Sequence, residues 1–218
     1  MSERRRMTTD DRREQLLRAG SELLGRRPYD EVSIDEIARA AGISKGLLYH
    51  YFPTKKDFVV AVLRQEVERV TALTAPDPSL PPLEQIDAAL DAFLDYVEHH
   101  ASAYATIFRT RGGGDPDIRA VLEEGRERRI EILLDGIAGQ LLADDGGRDS
   151  AVLRSAVQGW IFFVEGVLLR WLDKRDLSRD QVRELLRAVL LDSLRAAADI
   201  DPRLRVAGDV PDQAAGRR

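Results

Sequence analysis

Residues 44–52 read "SKGLLYHYF" and crowd a lysine, two tyrosines and a histidine into two helical turns. These side chains do the chemistry of recognition. Lysine offers three donors on a charged head, and the tyrosine hydroxyls and the histidine ring both donate and accept. With Ser44 as the N-cap of a helix over 44–52, Leu48 and Phe52 lie four apart and point inward. Lys45, Gly46, Tyr49 and His50 then point outward, with Leu47 and Tyr51 on the flanks. Such a surface suits the major groove of DNA, where the first residues of a recognition helix reach base edges. The N–H groups and positive end of the helix favour phosphate. Gly46 costs about 1 kcal/mol relative to alanine inside a helix, a cost explained if the backbone must come close to a partner there.

Other chemistries find no support. With no cysteine, disulfides and thiolate metal sites are excluded. No Ser/His/Asp order, phosphate loop or metal-ligand set is visible, so no catalytic residue, metal or cofactor is expected. His99 and His100 beside Glu98 do not make a metal site, because adjacent helical residues diverge by about 100°.

The elements that position the 44–52 segment are short capped helices. Thr8 and Asp11 have capping-box spacing at the start of a first helix over about 9–25, which Gly25 is expected to end. Ser33 and Glu36 repeat that spacing for a second helix over 33–41, with Val32 and Ile37 as a hydrophobic staple. Ala38 is small enough for a close helix crossing, and Gly42 supplies a turn with positive φ. Pro53 ends the third helix. Three such helices joined in this way make a helix-turn-helix over residues 1–56.

Beyond it the period stays helical and no strand alternation appears, so the fold class is all-α. A fourth helix runs from Thr54 to about Ala75, "APDPSLPP" breaks the chain at 75–82, and five further helices follow. Residues 57–200 form the helical body, and 201–218 read as a flexible polar tail. No continuous apolar run reaches the roughly 18 residues of a membrane span, and the N-terminus lacks the apolar core of a signal peptide. The expected location is cytoplasmic. Residues 1–56 hold 12 Lys and Arg against 9 Asp and Glu, a net of +3; residues 57–218 hold 21 against 29, a net of −8, which together give the chain's −5. One end can thus approach a polyanion.

The stretch "SIDEIARAAGISKGLLYHYFPTKKDFVVAVL" resembles the N-terminal domain of the TetR family of bacterial transcriptional regulators, with G-x-S-K-G-x-L-Y-x-Y-F-x-x-K matched at nearly every informative position. The resembling motif covers roughly residues 10–64. The resemblance implies a homodimer on a palindromic operator in double-stranded DNA, at the bacterial nucleoid, most simply a repressor released by a small molecule. An activator, or a nucleoid protein without ligand control, is the alternative. It implies that Ser33 bonds phosphate, that Ser44, Lys45, Gly46, Leu47, Tyr49 and His50 line the groove, and that Tyr51 and Lys55 reach phosphate.

The resemblance also implies an effector pocket in the helical body, C-terminal to the helix-turn-helix. Phe93, Tyr96, Tyr104, Phe108, Trp160 and Phe163 are the candidate lining, suited to an apolar or aromatic ligand, with Arg109 and Glu165 as polar anchors. Glu165 could equally be at the surface or paired with an arginine. The last two helices carry more apolar residues than one core needs. Ala156, Gly159, Gly166 and Val167 on one, with Leu186, Val189 and Leu190 on the other, are the expected dimer face. The resemblance implies a four-helix bundle across a two-fold axis.

Overall fold

The computed structural model describes residues 8–27, 31–101, 104, 115–140 and 148–204. Its elements among these residues are the helices α1 (Thr9–Arg26), α2 (Ile34–Ala40), α3 (Lys45–Tyr51), α4 (Lys55–Leu73), α5 (Pro82–His99), α6 (Pro116–Gln140), α7 (Ala151–Lys174) and α8 (Arg179–Ile200). The all-α expectation holds, and no strand occurs among the described residues. The chain divides into two compact units, Met1–Leu73 with Asp95–Gly125, and Thr74–Leu94 with Arg126–Arg218.

In the first unit the caps form as the spacing required. Thr8 and Asp11, and Ser33 and Glu36, make reciprocal capping boxes, and Ser44 accepts from the Leu47 N–H. Thr54 and Asp57 cap the start of α4 in the same way. Helix α1 runs through Gly25 to Arg26, one residue beyond the expected stop. Helix α2 ends in a Schellman motif. Gly42 sits at φ +66°, its N–H bonds the Arg39 carbonyl at 3.1 Å, and the Ile43 N–H bonds the Ala38 carbonyl at 2.9 Å.

Leu16, Leu17, Leu24, Ile37, Leu48, Phe52, Phe58 and Val62 are buried and form the core beneath the three short helices. Helix α1 packs on α4 closely enough that a Cβ at Gly20 would lie 2.3 Å from the Phe58 ring. The Arg13 guanidinium covers the Phe52 ring at 5.5 Å, and Phe52 meets Phe58 edge-on at 5.1 Å.

In the second unit α7 packs along α8. By length and composition α7 is apolar enough to cross a bilayer, contrary to the expectation from uninterrupted runs. Gln158 and Glu165 break the run without removing the helix's apolar character. Leu153, Val157, Trp160, Ile161, Val164 and Leu168 are instead buried within the unit. Arg187 pairs with Asp87, and Arg179 and Arg183 with Asp91, tying α8 to the first part of α5. Order continues past α8: Asp201 accepts from the Ser150 hydroxyl at 2.7 Å and Leu204 is buried. Phe108 and Arg109, like residues 111–114, 144–147 and 205–218, lie outside the described residues.

Candidate nucleic-acid interface

The turn between α2 and α3 fixes which side of α3 faces out. Leu48 is buried, while Leu47 (38%) and Tyr49 (40%) are among the most exposed large apolar side chains described. Ser44, Lys45, Gly46 and His50 are exposed too. A Cβ at Gly46 would meet nothing within 4 Å, so the glycine leaves an open approach to the backbone. The expected outward set therefore shares one surface. Tyr51 is half-buried, with its ring 5.6 Å from His50 and 6.4 Å from Phe52. It sits at the edge of that surface. Lys55, at the first turn of α4, is also half-buried.

Ser33 sits beside this surface with its hydroxyl engaged. Its Oγ donates to the Glu36 carboxylate at 2.8 Å and accepts from the Glu36 N–H at 3.2 Å. The Glu36 carboxylate also receives Arg27 Nη2 at 2.7 Å. The Ser33 N–H, then Arg27, then the Ser33 hydroxyl hold Glu36 well below the usual carboxylate range, at about 2. A phosphate would have to displace Glu36 to take the Ser33 hydroxyl proton.

Two ion pairs adjoin the surface. Lys45 Nζ lies 3.0 Å from Asp35 of α2, and that hydrogen bond, followed by the charge of Asp35, raises the lysine pKa. Lys56 pairs with Asp117 at the start of α6. The residue types of 33–56 mark the lysines, but their acidic partners sit on other helices, Asp35 ten residues before Lys45 and Asp117 61 residues after Lys56.

The expected effector residues fall in both units. In the first, Tyr96 and Tyr104 are buried, and the Tyr96 hydroxyl donates to Glu66 at 2.6 Å. Burial, then the Glu66 charge, pushes the Tyr96 phenol up. Glu66 is not among the residues the sequence singles out, although it lies four residues from both Val62 and Val70 on the buried stripe of α4. In the second unit Trp160 is buried with its indole N–H on the Leu186 carbonyl at 2.8 Å, while Phe93 and Phe163 are half-buried. Glu165 is buried and paired with Arg129 at 3.5 Å and Arg126 at 3.8 Å. The paired alternative therefore holds for Glu165. Arg126 precedes the buried Ile130 and Leu134 by four and eight residues, a spacing that places it on the inner stripe of α6.

The residues expected to face a partner subunit separate into two groups. Gly159 and Gly166 are exposed, and Ala156, Val167 and Val189 are partly exposed. Leu186 and Leu190 are fully buried in the single chain, because they form the side of α8 that packs on α7. The apolar surface of this pair is instead carried by Phe162, which is 46% exposed under the Arg126 guanidinium at 4.7 Å, and by Leu185.

The chain is similar to known proteins in both sequence and fold. Residues 16–62 match the model of "Bacterial regulatory proteins, tetR family", and residues 82–192 match "Tetracyclin repressor-like, C-terminal domain". The transcriptional activator FasR of Mycolicibacterium smegmatis is 29% identical over 182 residues, covering 82% of this chain and 81% of its own. The transcriptional repressor KstR of Rhodococcus jostii is 24% identical over 177 residues, covering 80% and 79%. A crystal structure of a tetR-family transcriptional regulator from Streptomyces coelicolor superposes with a TM-score of 0.77 at 28% identity, covering 90% of this chain and 86% of that one.

Proposed function

The chain belongs to the tetR family of bacterial regulatory proteins and is a DNA-binding transcriptional regulator rather than an enzyme, and we propose that it works as a repressor whose homodimer binds a palindromic operator and is released by a small apolar or aromatic effector. The observation that carries the DNA interface is the outward set on α3, with Lys45, Gly46, Leu47, Tyr49 and His50 exposed around a buried Leu48. Residues 1–56 are the DNA-binding domain in this reading, and residues 57–200 hold the effector and the partner subunit. Ser33, Ser44, Tyr51 and Lys55 border the groove.

The buried Tyr96–Glu66 pair supports effector control. Glu66 belongs to α4, whose first residue follows the end of α3 by only four positions. An effector that rearranged this pair would act on the helix that carries the reading helix. Release then requires the effector to prefer the non-binding conformation. FasR is an activator, which keeps activation as the second reading.

Binding is measured with duplexes that the protein itself selects from a random pool. Lys45→Ala and Tyr49→Ala are expected to weaken binding at least tenfold at fixed salt with the melting temperature unchanged. A double variant that binds as the parent does would remove α3 from the interface. A reporter gene placed behind the selected sequence separates repression from activation.

A further inference from the structure

The Lys45–Asp35 pair has a chemical consequence for what Lys45 can read. A lysine head carries three donors and no acceptor. One is committed to Asp35 Oδ2 at 3.0 Å, and two remain. The major-groove edge of guanine presents two acceptors, O6 and N7, that lysine can bridge. A phosphate contact would instead bring an anionic oxygen against the Asp35 carboxylate, which is itself exposed beside the groove face. No acidic residue stands in the first turn of α3. Both members of the pair are about half exposed, so the pair does little for the fold.

We propose that Asp35 is a positioning residue that makes Lys45 a guanine reader rather than a phosphate clamp. By cancelling the lysine's charge toward the backbone, it lowers affinity for non-cognate DNA. By holding the head, it leaves two donors for one guanine in each half-site. The inference rests on α3 being the reading helix.

The test compares the parent, Asp35→Asn, Asp35→Glu and Lys45→Ala in the full-length chain. The probes are a random-sequence 40-base-pair duplex, a duplex selected by the parent, and that duplex with 7-deazaguanine replacing each half-site guanine in turn. Asp35→Asn is expected to bind the random duplex about five- to tenfold more tightly. Its log–log salt slope should steepen by roughly 0.9 for each phosphate gained. The parent should lose about tenfold at one 7-deazaguanine position, and Asp35→Asn should lose little there. Asp35→Glu, which keeps the charge, should restore the parent's slope, and melting temperatures should agree throughout. If Asp35→Asn matches the parent in both slope and 7-deazaguanine penalty while Lys45→Ala weakens binding, the role of Asp35 is overturned and the reading helix stands. If Lys45→Ala and Tyr49→Ala also bind like the parent, the interface itself is wrong.

Discussion

Three donors converge on the Glu36 carboxylate: the Ser33 N–H and hydroxyl, each at 2.8 Å, and Arg27 Nη2 at 2.7 Å. Each favours the charged form, so the group titrates near 2 when folded and near 4.5 when unfolded. A depressed carboxylate binds its proton more tightly in the unfolded chain. Its contribution is complete above about pH 4.5 and is lost as the pH falls toward 2. Glu36→Gln should therefore flatten, without abolishing, the decline of the melting temperature across that window, since Asp11, Asp77, Asp176 and Asp201 are also lowered. Melting curves of parent and variant from pH 2 to 7 check this, and parallel curves would refute it. Ser33→Ala removes the cap itself and should cost about 1 kcal/mol at every pH where Glu36 is charged.

Two glycines show how elements meet by different means. Gly42 stands at φ +66° with open space around its Cα. Gly42→Ala should cost roughly 1–2 kcal/mol from left-handed strain alone. Gly20 lies within α1, but a Cβ there would strike the Phe58 ring at 2.3 Å and Val62 at 2.9 Å. Gly20→Ala should cost about 1–3 kcal/mol by overpacking, and Phe58→Leu should recover part of that loss because it removes the obstructing ring. Urea titrations of the two single variants and the Gly20 pair measure all three. The turn glycine was legible in the sequence because a turn needs it. Gly20 was not, since nothing local marks it and the residue it faces is 38 positions on. The same division runs through the site. The capped helices and the outward set on α3 follow from spacing within 20 residues. Asp35 as partner of Lys45, Arg27 as partner of Glu36, and Glu66 as partner of Tyr96 require knowing which helices touch. Leu186 and Leu190 read as outward in the sequence for the same reason: a helix with two apolar sides does not say which side the neighbouring helix covers.

At the scale of the molecule, the surplus of positive charge in residues 1–56 and of negative charge beyond it favours approach to a polyanion through residues 1–56, and in the proposed homodimer two-fold symmetry would turn one weak reader into a pair. The exposed apolar residues of α7 and α8, Phe162 and Leu185, flanked by Gly159 and Gly166 with no atom within 4 Å of an added Cβ, are the surface we propose for this pairing. A charge at both positions leaves the buried Leu186, Leu190 and Trp160 untouched, so the fold should survive while the contact between subunits does not. Phe162→Glu with Leu185→Glu is expected to sediment as a folded monomer at micromolar concentration. That monomer should still recognise a half-site, because its α3 is unchanged, but should lose most of the affinity for the full palindrome. The parent should be sensitive to half-site spacing, since the recognition helices of a two-fold dimer fall about 34–36 Å apart. Inserting five base pairs between half-sites turns one of them to the opposite side of the duplex and should weaken the parent severely, and the monomeric variant hardly at all. A variant that remains dimeric, or a parent indifferent to the insertion, would place the subunit contact elsewhere.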